Sequence, residues 1–587
     1  MDFQNQLKNL FVAPVRPHAP TAELSVRTGS GTADKDFKWL ETNIPCQKAC
    51  PASTDIPAYL TAMADGRAED AYRINLQDNV FPAVLGRVCS RPCEPACRHG
   101  YEGLGEPVSI CFSKRSAADF KDQTPVLLEP WFEPSGKRVA IVGSGVAGLT
   151  AARNLTLLGH AVTIYEKHAK PGGMLNQGIP EFRLPRAIID REIEQITALG
   201  VEIVCNTDVG KSLSLEKLLT DFDAVVIAAG TLRPNRPDIP GQELKGIRHG
   251  LDFLLEANET GAAAIGEQVV VIGGGFTAMD CARTAQRLGA QSVELAEEGQ
   301  LKVMYRRSKD DLRVTPGELE ELEHEGIPLE CHATPMAYLG ANGTLTGMRF
   351  ARTGTEEEFE VPVDTVLLAT GQVPDTSWLD DALLENDPLF VAGDFSLGAT
   401  TLIDAIAHAK STAREIDCFL MGTVRMQDHV HVEDATLTGR TPEMDAIPRQ
   451  PMPTLPLGER TLPREVEQGY NQTAAQEEAQ RCYRCHYKFE IDQDKCIKCD
   501  WCLKAKPRPE CILMLKEIQH ADDGQVVGWE PAESMRQMNL IWINQDECIR
   551  CGACIKACPV DAITLQKVSL STEALINNTA PNVEEHS

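Results

Sequence analysis

The sequence predicts a multidomain α/β protein, and three observations support this class. The chain has 587 residues, a length that usually corresponds to several domains. Two apolar β-strand patterns each end in a glycine-rich turn that opens a helical pattern, at residues 138–158 and 269–278. Of the 20 cysteines, 16 lie in two regions, 46–111 and 482–558. The centre of the chain is therefore expected to be α/β, and both ends to be cysteine-rich modules.

Composition and charge exclude several classes of protein. A hydrophobic content of 43% is typical of globular domains, and the net charge of −28 argues against non-specific nucleic-acid binding and against an anionic membrane surface. Residues 1–20 lack the basic start and the apolar core that would indicate a signal peptide. No apolar run has the length of a membrane span. We therefore expect a cytoplasmic chain whose clustered cysteines bind metal and do not form disulfides.

The first glycine-rich turn follows a strand pattern at residues 138–142, and a second strand pattern at 161–165 ends at Glu166. Such a turn presents backbone N–H groups and a helix N-terminus to a pyrophosphate, and the acid accepts hydrogen bonds from ribose hydroxyls. This context predicts a dinucleotide site. Its candidate residues are Gly143, Ser144, Gly145, Gly148 and Glu166.

The second turn gives a second nucleotide site, with candidate residues Gly273, Gly275, Thr277 and Ala278. The strand pattern that follows, at residues 301–305, leads into Arg306 and Arg307 and has no acid at its end. Paired guanidinium groups suit a 2′-phosphate, so NADP is favoured. The connection at residues 291–301 looks longer than usual, which leaves NAD open as the alternative.

The C-terminal cysteines form two runs, spaced x2-x2-x8 and x2-x2-x3, and the second ends in Cys558-Pro559. The second spacing is that of bacterial ferredoxins, in which the fourth cysteine of each run binds the other cluster. A zinc ribbon does not have this spacing. We therefore expect two [4Fe–4S] centres, one on Cys496, Cys499, Cys502 and Cys558, the other on Cys548, Cys551, Cys554 and Cys511.

The N-terminal cysteines are sparser, at Cys46-x3-Cys50 and Cys89-x3-Cys93-x3-Cys97. Helical patterns such as residues 56–63 lie between them, so this part is predicted to be a small helical domain. Four thiolates bind either an iron–sulfur cluster or structural zinc, and the spacing alone leaves both open.

Several motifs carry a resemblance to a known family. They are Pro-Gly-Gly-Met-Leu at 171–175, Gly-Ile-Pro-Glu-Phe-Arg-Leu-Pro at 178–185, Ala-Ala-Gly-Thr at 228–231, Ala-Thr-Gly-Gln-Val-Pro at 369–374 and Ala-Gly-Asp at 392–394. Over residues 40 to 490 the chain resembles the small subunit of glutamate synthase. This group of FAD- and NAD(P)-dependent oxidoreductases includes the N-terminal part of dihydropyrimidine dehydrogenase and the large subunit of the ferredoxin-dependent transhydrogenase.

The resemblance implies a helical Fe–S N-terminal domain, two nested Rossmann-like nucleotide-binding domains and a C-terminal α+β ferredoxin domain. The first nucleotide domain would hold FAD, with the second inserted into it. Further FAD-binding residues would be Gly173, Gly230, Gly393, Asp394 and Thr401. The expected units are an arm at 1–40, the Fe–S domain at 41–125, FAD segments at 130–257 and 378–425, the NAD(P) domain at 258–377, a semi-rigid linker with Cys-x-x-Cys at 426–490, the ferredoxin domain at 491–568 and a disordered tail at 569–587.

The linker contains Cys482 and Cys485, in a phrase that often precedes the N-terminal cysteines in the family. We therefore hypothesise that these two fold back to share a cluster with Cys46, with Cys111 as the candidate fourth ligand. The family sometimes has a non-cysteine ligand near that position. The second N-terminal cluster would then be held by Cys50, Cys89, Cys93 and Cys97, which gives four clusters in the chain.

A flavin accepts a hydride from a nicotinamide and releases single electrons to iron–sulfur centres. The sequence therefore predicts an NAD(P)H oxidoreductase subunit that exchanges electrons with ferredoxin or a low-potential enzyme such as a 2-oxoacid:ferredoxin oxidoreductase. No catalytic acid or base is assigned. The alternatives are a glutamate synthase small subunit and a relay or scaffold subunit of an electron-bifurcating complex. A thioredoxin-reductase chemistry is excluded because Cys205, Cys281 and Cys331 are isolated.

Overall fold

The computed structural model describes residues 35–101, 103–122, 124–289, 301–379, 388–521 and 526–575. Within these ranges, no helix combines the length and the apolar character that a membrane crossing requires. Most of the predicted arm, and the connection at 290–300 that left NAD open, fall outside the described residues.

The N-terminal domain is helical, as the sequence predicts. Two of its helices begin where an aspartate caps the first turn: the Asp36 side chain accepts from the backbone N–H of Trp39, and Asp55 accepts from Ala58. A helix from far along the chain packs on this domain. The helices are Phe37–Asn43, Pro45–Ala49, Ile56–Ala64, Ala68–Asn79, Pro82–Val88, Ile110–Phe120 and the distant Gln472–Gln480.

The first nucleotide-binding unit is a parallel five-stranded sheet that one continuous apolar core joins to the helical domain. Its two central strands, Arg138–Val142 and Ala224–Ile227, are runs of Val, Ile and Ala that are almost completely buried. In spatial order they are Leu389–Val391, Ala224–Ile227, Arg138–Val142, Ala161–Tyr165 and Glu202–Val204. The associated helices are Val146–Leu157, Met174–Gln177, Arg186–Thr197, Leu215–Asp221, Asp394–Leu397 and Leu402–Met421.

The second unit has its own parallel five-stranded sheet and its own core. It lies between two segments of the first unit, as the nested arrangement predicts. Its strands in spatial order are Ile247–His249, Thr365–Leu368, Val269–Ile272, Leu301–Met304 and Leu329–Glu330. The helices are Gly250–Thr260, Phe276–Arg287 and Pro316–His324, and a three-stranded antiparallel sheet of Ala333–Ala341, Thr344–Arg352 and Glu358–Pro362 extends the unit.

The start of the inserted unit is earlier than residue 258, where the sequence places it. Strand Ile247–His249 pairs with Thr365–Leu368 of the second sheet, so it belongs to the inserted unit. The two chain crossings between the units pair as a short antiparallel ribbon, Arg233–Pro234 with Gln372–Val373. The sequence missed this boundary because a three-residue strand carries little apolar pattern of its own.

The proline-rich linker is more ordered than predicted. Residues 426–434 form a strand, and residues 453–468 fold into a strap in which the Leu455 N–H donates to Val466 at 2.9 Å. Val466 in turn donates to the Phe182 carbonyl at 2.9 Å, and buried Arg460 pairs with Glu325 at 2.7 Å. The strap therefore ties the helical, FAD and NAD(P) units together. The prediction of a semi-rigid spacer is therefore wrong for residues 453–468, where the prolines are part of a packed loop.

The C-terminal domain contains two three-stranded antiparallel sheets and two short helices, Trp501–Ala505 and Ala553–Ala557. One sheet consists of Met426–Asp434, Ile563–Ala574 and Tyr487–Ile491, and the other, within the long connection between the cysteine runs, of Val526–Pro531, Ile512–His520 and Leu540–Ile543. The predicted tail is wrong for residues 569–574, which pair with residues 426–431 of the linker strand. Residues 576–587 lie outside the described part.

Candidate functional site

A cavity of about 440 Å³ lies at the carboxyl ends of the first sheet, where parallel α/β folds bind ligands. Its walls come from three units: Glu166 from the first, Thr277 from the second, and Val88 with Ser90 from the helical domain. Of the ten residues predicted to bind FAD, those that line the cavity are Gly143, Ser144, Gly145, Glu166, Gly173, Gly230, Asp394 and Thr401.

The first glycine-rich turn has the geometry of a phosphate cradle. Gly143 has a φ of +100°, and a Cβ there would lie 2.7 Å from the Ala228 carbonyl oxygen. A Cβ on Gly148 would lie 2.0 Å from the Gly143 oxygen, so helix Val146–Leu157 can approach the strand only with glycine there. Gly145, at the helix N-terminus, faces open space. Its backbone is thus accessible to an anion.

Glu166 is buried, and its carboxylate is tied to the glycine turn. Oε2 accepts from the backbone N–H of Ser144 at 2.9 Å and from its hydroxyl at 2.5 Å, and Oε1 accepts from the His168 N–H at 2.9 Å. These bonds fix the carboxylate at the end of its strand. Carboxylate oxygens have several lone pairs, so acceptor capacity remains for ribose hydroxyls.

The opposite wall is formed by the Ala-Gly-Asp turn and by helix Leu402–Met421. Asp394 accepts from the backbone and the hydroxyl of Thr400, at 3.2 and 2.5 Å, and burial raises its pKa. Thr401 caps the helix by a reciprocal pair with Asp404. A residue that sequence reasoning did not assign, His408, accepts from the Gly393 N–H through Nδ1 at 3.0 Å. Burial lowers the pKa of His408, which suits a neutral acceptor.

Gly173 and Gly230 close the cavity from two other sides. Gly173 precedes helix Met174–Gln177, and a Cβ on it would lie 2.8 Å from the Cα of Gly145. Gly230 follows strand Ala224–Ile227, and a Cβ on it would have no neighbouring atom within 4 Å. Packing therefore requires glycine at residue 173, whereas the space beside residue 230 is open.

In the second unit, Gly273 ends strand Val269–Ile272 and Gly275 precedes helix Phe276–Arg287. Ala278, two residues into this helix, is fully buried. Of the predicted residues of this turn, Thr277 lines the cavity, and Gly273, Gly275 and Ala278 lie outside its wall. The second glycine turn therefore reaches the cavity through the first turn of its helix.

Arg306 and Arg307 follow strand Leu301–Met304 and are exposed, outside the cavity wall. Among the described residues, neither guanidinium group forms a hydrogen bond or an ion pair. Their backbone carbonyls hold the turn, since Arg306 accepts from the Thr353 hydroxyl at 2.7 Å and Arg307 accepts from the His332 N–H at 3.1 Å. Both side chains are therefore positioned and available for an anionic ligand.

An ion-pair group that sequence reasoning missed joins the two nucleotide units beside the cavity. Arg183, from the Phe-Arg-Leu-Pro motif, donates to both oxygens of Asp280 at 2.8 and 3.0 Å and also pairs with Glu318. Burial raises the pKa of Asp280 to about 6, against the effect of Arg183. The motif itself was recognised, but a contact between domains leaves no local pattern in the sequence.

One group of buried thiols lies next to the cavity. Cys89 stands between Val88 and Ser90, which line the cavity. Burial alone lowers the pKa of buried Lys114, but the thiolates of Cys111, Cys89, Cys93 and Cys50 outweigh it and raise the pKa. A buried ammonium suits an anionic iron–sulfur cluster. This group consists of Cys50, Cys89, Cys93 and Cys111.

A second group lies further from the cavity and includes the two distant cysteines. Burial, then the thiolates of Cys97, Cys485 and Cys482, raise the pKa of Cys46. Cys482 and Cys485 therefore lie near Cys46, and their sharing a cluster with it stays a prediction. The group consists of Cys46, Cys97, Cys482 and Cys485.

The structure exchanges Cys97 and Cys111 relative to the grouping predicted from the sequence. The cause is Glu94, whose carboxylate accepts from the Cys111 N–H at 3.0 Å. This bond holds the first turn of helix Ile110–Phe120 against the loop that carries Cys93, so Cys111 joins that group. Cys97 is left at the other end of the loop, beside Cys46.

Tyr59 lies between the two N-terminal groups. It is fully buried, and its hydroxyl donates to the Ile110 carbonyl at 3.1 Å. Burial raises the pKa of the Tyr59 hydroxyl, and nearby thiolates raise it further. These thiolates belong to Cys93, Cys111, Cys46 and Cys50. Cysteines of both groups therefore lie near the Tyr59 hydroxyl.

The C-terminal thiols form two further sets. Burial and the thiolates of Cys548 and Cys551 raise the pKa of Cys511 to about 11, which places Cys511 with the second run despite its x8 gap. The first run is together as well, because burial and then the thiolates of Cys496 and Cys499 raise the pKa of Cys502 to about 11. The crossing of Cys558 to the first run stays a prediction. In the described residues, no three His, Cys, Asp or Glu side chains are arranged around a single metal ion.

A cavity shared by two nucleotide-binding units, with buried thiol groups behind it, defines an FAD- and NAD(P)-dependent iron–sulfur oxidoreductase. Family models agree with this class. They match the pyridine nucleotide-disulphide oxidoreductases at residues 137–392, the 4Fe-4S domain II of dihydropyrimidine dehydrogenase at 40–126 and the 4Fe-4S binding domain at 541–564.

Curated relatives identify the family. The beta subunit of the NADP(+)-dependent formate dehydrogenase of Moorella thermoacetica is 36% identical over 507 residues, with 75% of this chain and 70% of that protein covered. The beta subunit of the NADPH-Fe(3+) oxidoreductase of Geobacter sulfurreducens is 33% identical, with 75% of each chain covered. The small chain of the Mycobacterium tuberculosis NADPH glutamate synthase is 33% identical, with 65% and 87% covered.

The chain belongs to the family of glutamate synthase small-chain-like and dihydropyrimidine dehydrogenase-like FAD/NAD(P) oxidoreductases. It carries the N-terminal 4Fe-4S domain and a C-terminal 4Fe-4S ferredoxin domain. The predicted family, fold class and cofactor types are confirmed, and the chain is an NAD(P)H-linked electron-transfer subunit of an oxidoreductase.

Proposed function

We propose that this chain passes electrons between NADP(H) and a partner redox protein through FAD and four [4Fe–4S] clusters. The observation that carries the proposal is the sequence of buried groups that leads from the cavity to the C-terminal domain. Val88 and Ser90 connect the cavity to the Cys89 group, and Tyr59 connects that group to the Cys46 group. Arg440 then adjoins both Cys482 of the Cys46 group and Cys551 of the C-terminal domain.

FAD supplies the exchange between a two-electron hydride and single electrons. The chain's own residues bind the two nucleotides, orient them and enclose them. The glycine turn and Glu166 hold one nucleotide against the first sheet, and the N-terminus of helix Leu402–Met421 adds a favourable dipole on the opposite wall. The Arg183–Asp280 pair holds the second unit against the first, so both nucleotides share one enclosed cavity.

Exposed Arg306 and Arg307 favour NADP, since paired guanidinium groups match a 2′-phosphate. The relatives described above include NADP- and NADPH-linked proteins, which agrees with this preference. The partner would be ferredoxin or a low-potential enzyme of the 2-oxoacid:ferredoxin oxidoreductase kind. In this proposal the C-terminal domain is the side that meets it.

A glutamate synthase small subunit is the second candidate, favoured by the 33% identity that spans 87% of the Mycobacterium tuberculosis small chain. Its role does not need the C-terminal cysteine runs. Purification of the native complex, followed by identification of the bound chains, separates the candidates. A bound ferredoxin or an enzyme of the 2-oxoacid:ferredoxin oxidoreductase kind supports the proposal, and a glutamine-hydrolysing synthase subunit contradicts it.

Measuring turnover of the isolated chain distinguishes an enzyme from a relay or scaffold subunit. The iron–sulfur-loaded full chain is assayed anaerobically with a dye acceptor whose potential is higher than that of the nicotinamide couple, and with either NADPH or NADH. We expect NADPH-dependent dye reduction, lost when Glu166 is changed to Leu. Lack of turnover in a chain that retains FAD and iron would contradict the proposal and favour a structural role.

A further inference from the structure

Residues 438–440 form a wedge between two cysteine loops of different domains. On one side, the Thr438 carbonyl accepts a hydrogen bond from Arg484, which lies between Cys482 and Cys485. On the other side, the Thr438 hydroxyl donates to the Arg550 carbonyl at 2.6 Å, within the loop between Cys548 and Cys551. The wedge is thus the point at which the N-terminal and C-terminal iron–sulfur modules meet.

Arg440 occupies the centre of this junction. Its side chain is buried at 4% exposure, and Nη1 donates to the Ile549 carbonyl at 2.8 Å. Its guanidinium lies over the ring of Tyr483, 4.8 Å from the centroid. Ile549 and Tyr483 each stand directly after a cysteine of one loop. One planar cation therefore contacts both loops at once.

Two donors of this guanidinium have no partner within the described chain. Nε and Nη2 of Arg440 are buried and form no hydrogen bond. A buried N–H without an acceptor costs about 1–3 kcal/mol, and more on a charged group. Burial lowers the pKa of Arg440, and among its neighbours the thiolate of Cys482 opposes this most. The charge of Arg440 also acts to lower the pKa of Cys551, which burial raises.

We propose that Arg440 sets the reduction potentials of the two iron–sulfur centres that it separates, by donating its Nε–H and Nη2–H groups to their sulfurs. The inference rests on the proposed function, because it assigns clusters to the Cys46 group and to the group of Cys511, Cys548, Cys551 and Cys554. Arg440 is a positioning residue and takes no part in bond formation.

The direction of the effect follows from charge. Reduction adds one electron to a centre, so a nearby cation and N–H donors to sulfur stabilise the reduced state and raise its potential. A single residue shared by two centres raises both potentials together. It therefore acts on both centres at the junction between the domains, where an electron must cross from one module to the other.

The test is a redox titration of the full-length, cluster-loaded chain, with dithionite as the reductant and electron paramagnetic resonance as the readout. In Arg440→Gln, two centres should shift to lower potential by about 59 mV or more, which is a tenfold change for a one-electron couple, while iron content is unchanged. Arg414→Gln is the matched control, because Arg414 pairs with Asp428 and lies outside the cysteine loops. Unchanged potentials in Arg440→Gln at full iron content would overturn the proposal.

If Arg440→Gln loses iron, a second variant provides the test. Arg440→Lys keeps the charge but has one donor nitrogen, which cannot replace Nε and Nη2 at both centres, so at least one of the two centres should shift to lower potential. Unchanged potentials at both centres in this variant would overturn the proposal that two separate nitrogens donate to them. Because dithionite replaces NADPH, failure here is separate from failure of the proposed function, which would appear as clusters that NADPH does not reduce.

Discussion

The preference for NADP rests on Arg306 and Arg307, and its strength follows from their surroundings. A hydrogen bond to a charged group contributes about 1.5–3 kcal/mol. Both guanidinium groups are exposed, so solvent screening favours the lower end of this range. Removing one should therefore cost about 1.5 kcal/mol, or roughly tenfold in affinity, and removing both about 3 kcal/mol, or more than a hundredfold.

The assay is steady-state reduction of the same dye by Arg306→Gln, Arg307→Gln and the double variant, with NADPH and with NADH. The contact is distant from the reacting atoms, so KM for NADPH should rise while kcat stays constant. KM for NADH should not change. Arg349→Gln, an exposed arginine on the antiparallel sheet of the same unit, is the control. Equal rises in KM for both nucleotides, or no rise for NADPH, would refute the assignment.

The remaining predictions concern the thiol groups and acid stability. In the double variant Cys111→Ser, Cys89→Ser both changes fall in one group, so the chain should lose about four iron atoms, as in either single variant. In Cys111→Ser, Cys46→Ser the changes fall in two groups, so the chain should lose about eight. Equal iron loss in the two double variants, measured by iron analysis, would contradict the grouping. Burial raises the pKa of Glu325, but the Arg287 guanidinium and neighbouring charges outweigh it and lower the pKa to about 2. This carboxylate therefore contributes stability, about 3 kcal/mol in the limit, that is present above pH 4.5 and lost as the pH falls towards 2. Glu325→Gln should flatten that part of the denaturant-measured stability profile, and an unchanged slope would contradict the ion-pair account.

Much of the site was predictable because local spacing encodes it. The strand Ala161–Tyr165 has its predicted bounds, and Glu166 lies where the motif requires a carboxylate. Glycine positions in the first turn follow from a close approach of helix to strand, which a side chain would prevent. Such constraints act within about 30 residues, so sequence pattern carries them.

Contacts between distant segments were not predictable in the same way. Cys97 and Cys111 exchanged groups because a single Glu94 hydrogen bond orients a helix, and no spacing rule contains that bond. Residues 569–574 form a strand because the linker strand, more than a hundred residues earlier, supplies the partner edge. The wedge at Arg440 is of this kind, since Ile549 and Tyr483, which Arg440 contacts, are both far from it along the chain.

Rapid-freeze electron paramagnetic resonance after mixing the loaded chain with NADPH tests the central claim most directly. If the cavity feeds the buried thiol groups, NADPH should reduce iron–sulfur centres within the turnover time, and Cys111→Ser should abolish reduction of the C-terminal centres while leaving flavin bleaching intact. Flavin that bleaches while every centre of the wild-type chain stays oxidised would contradict the account.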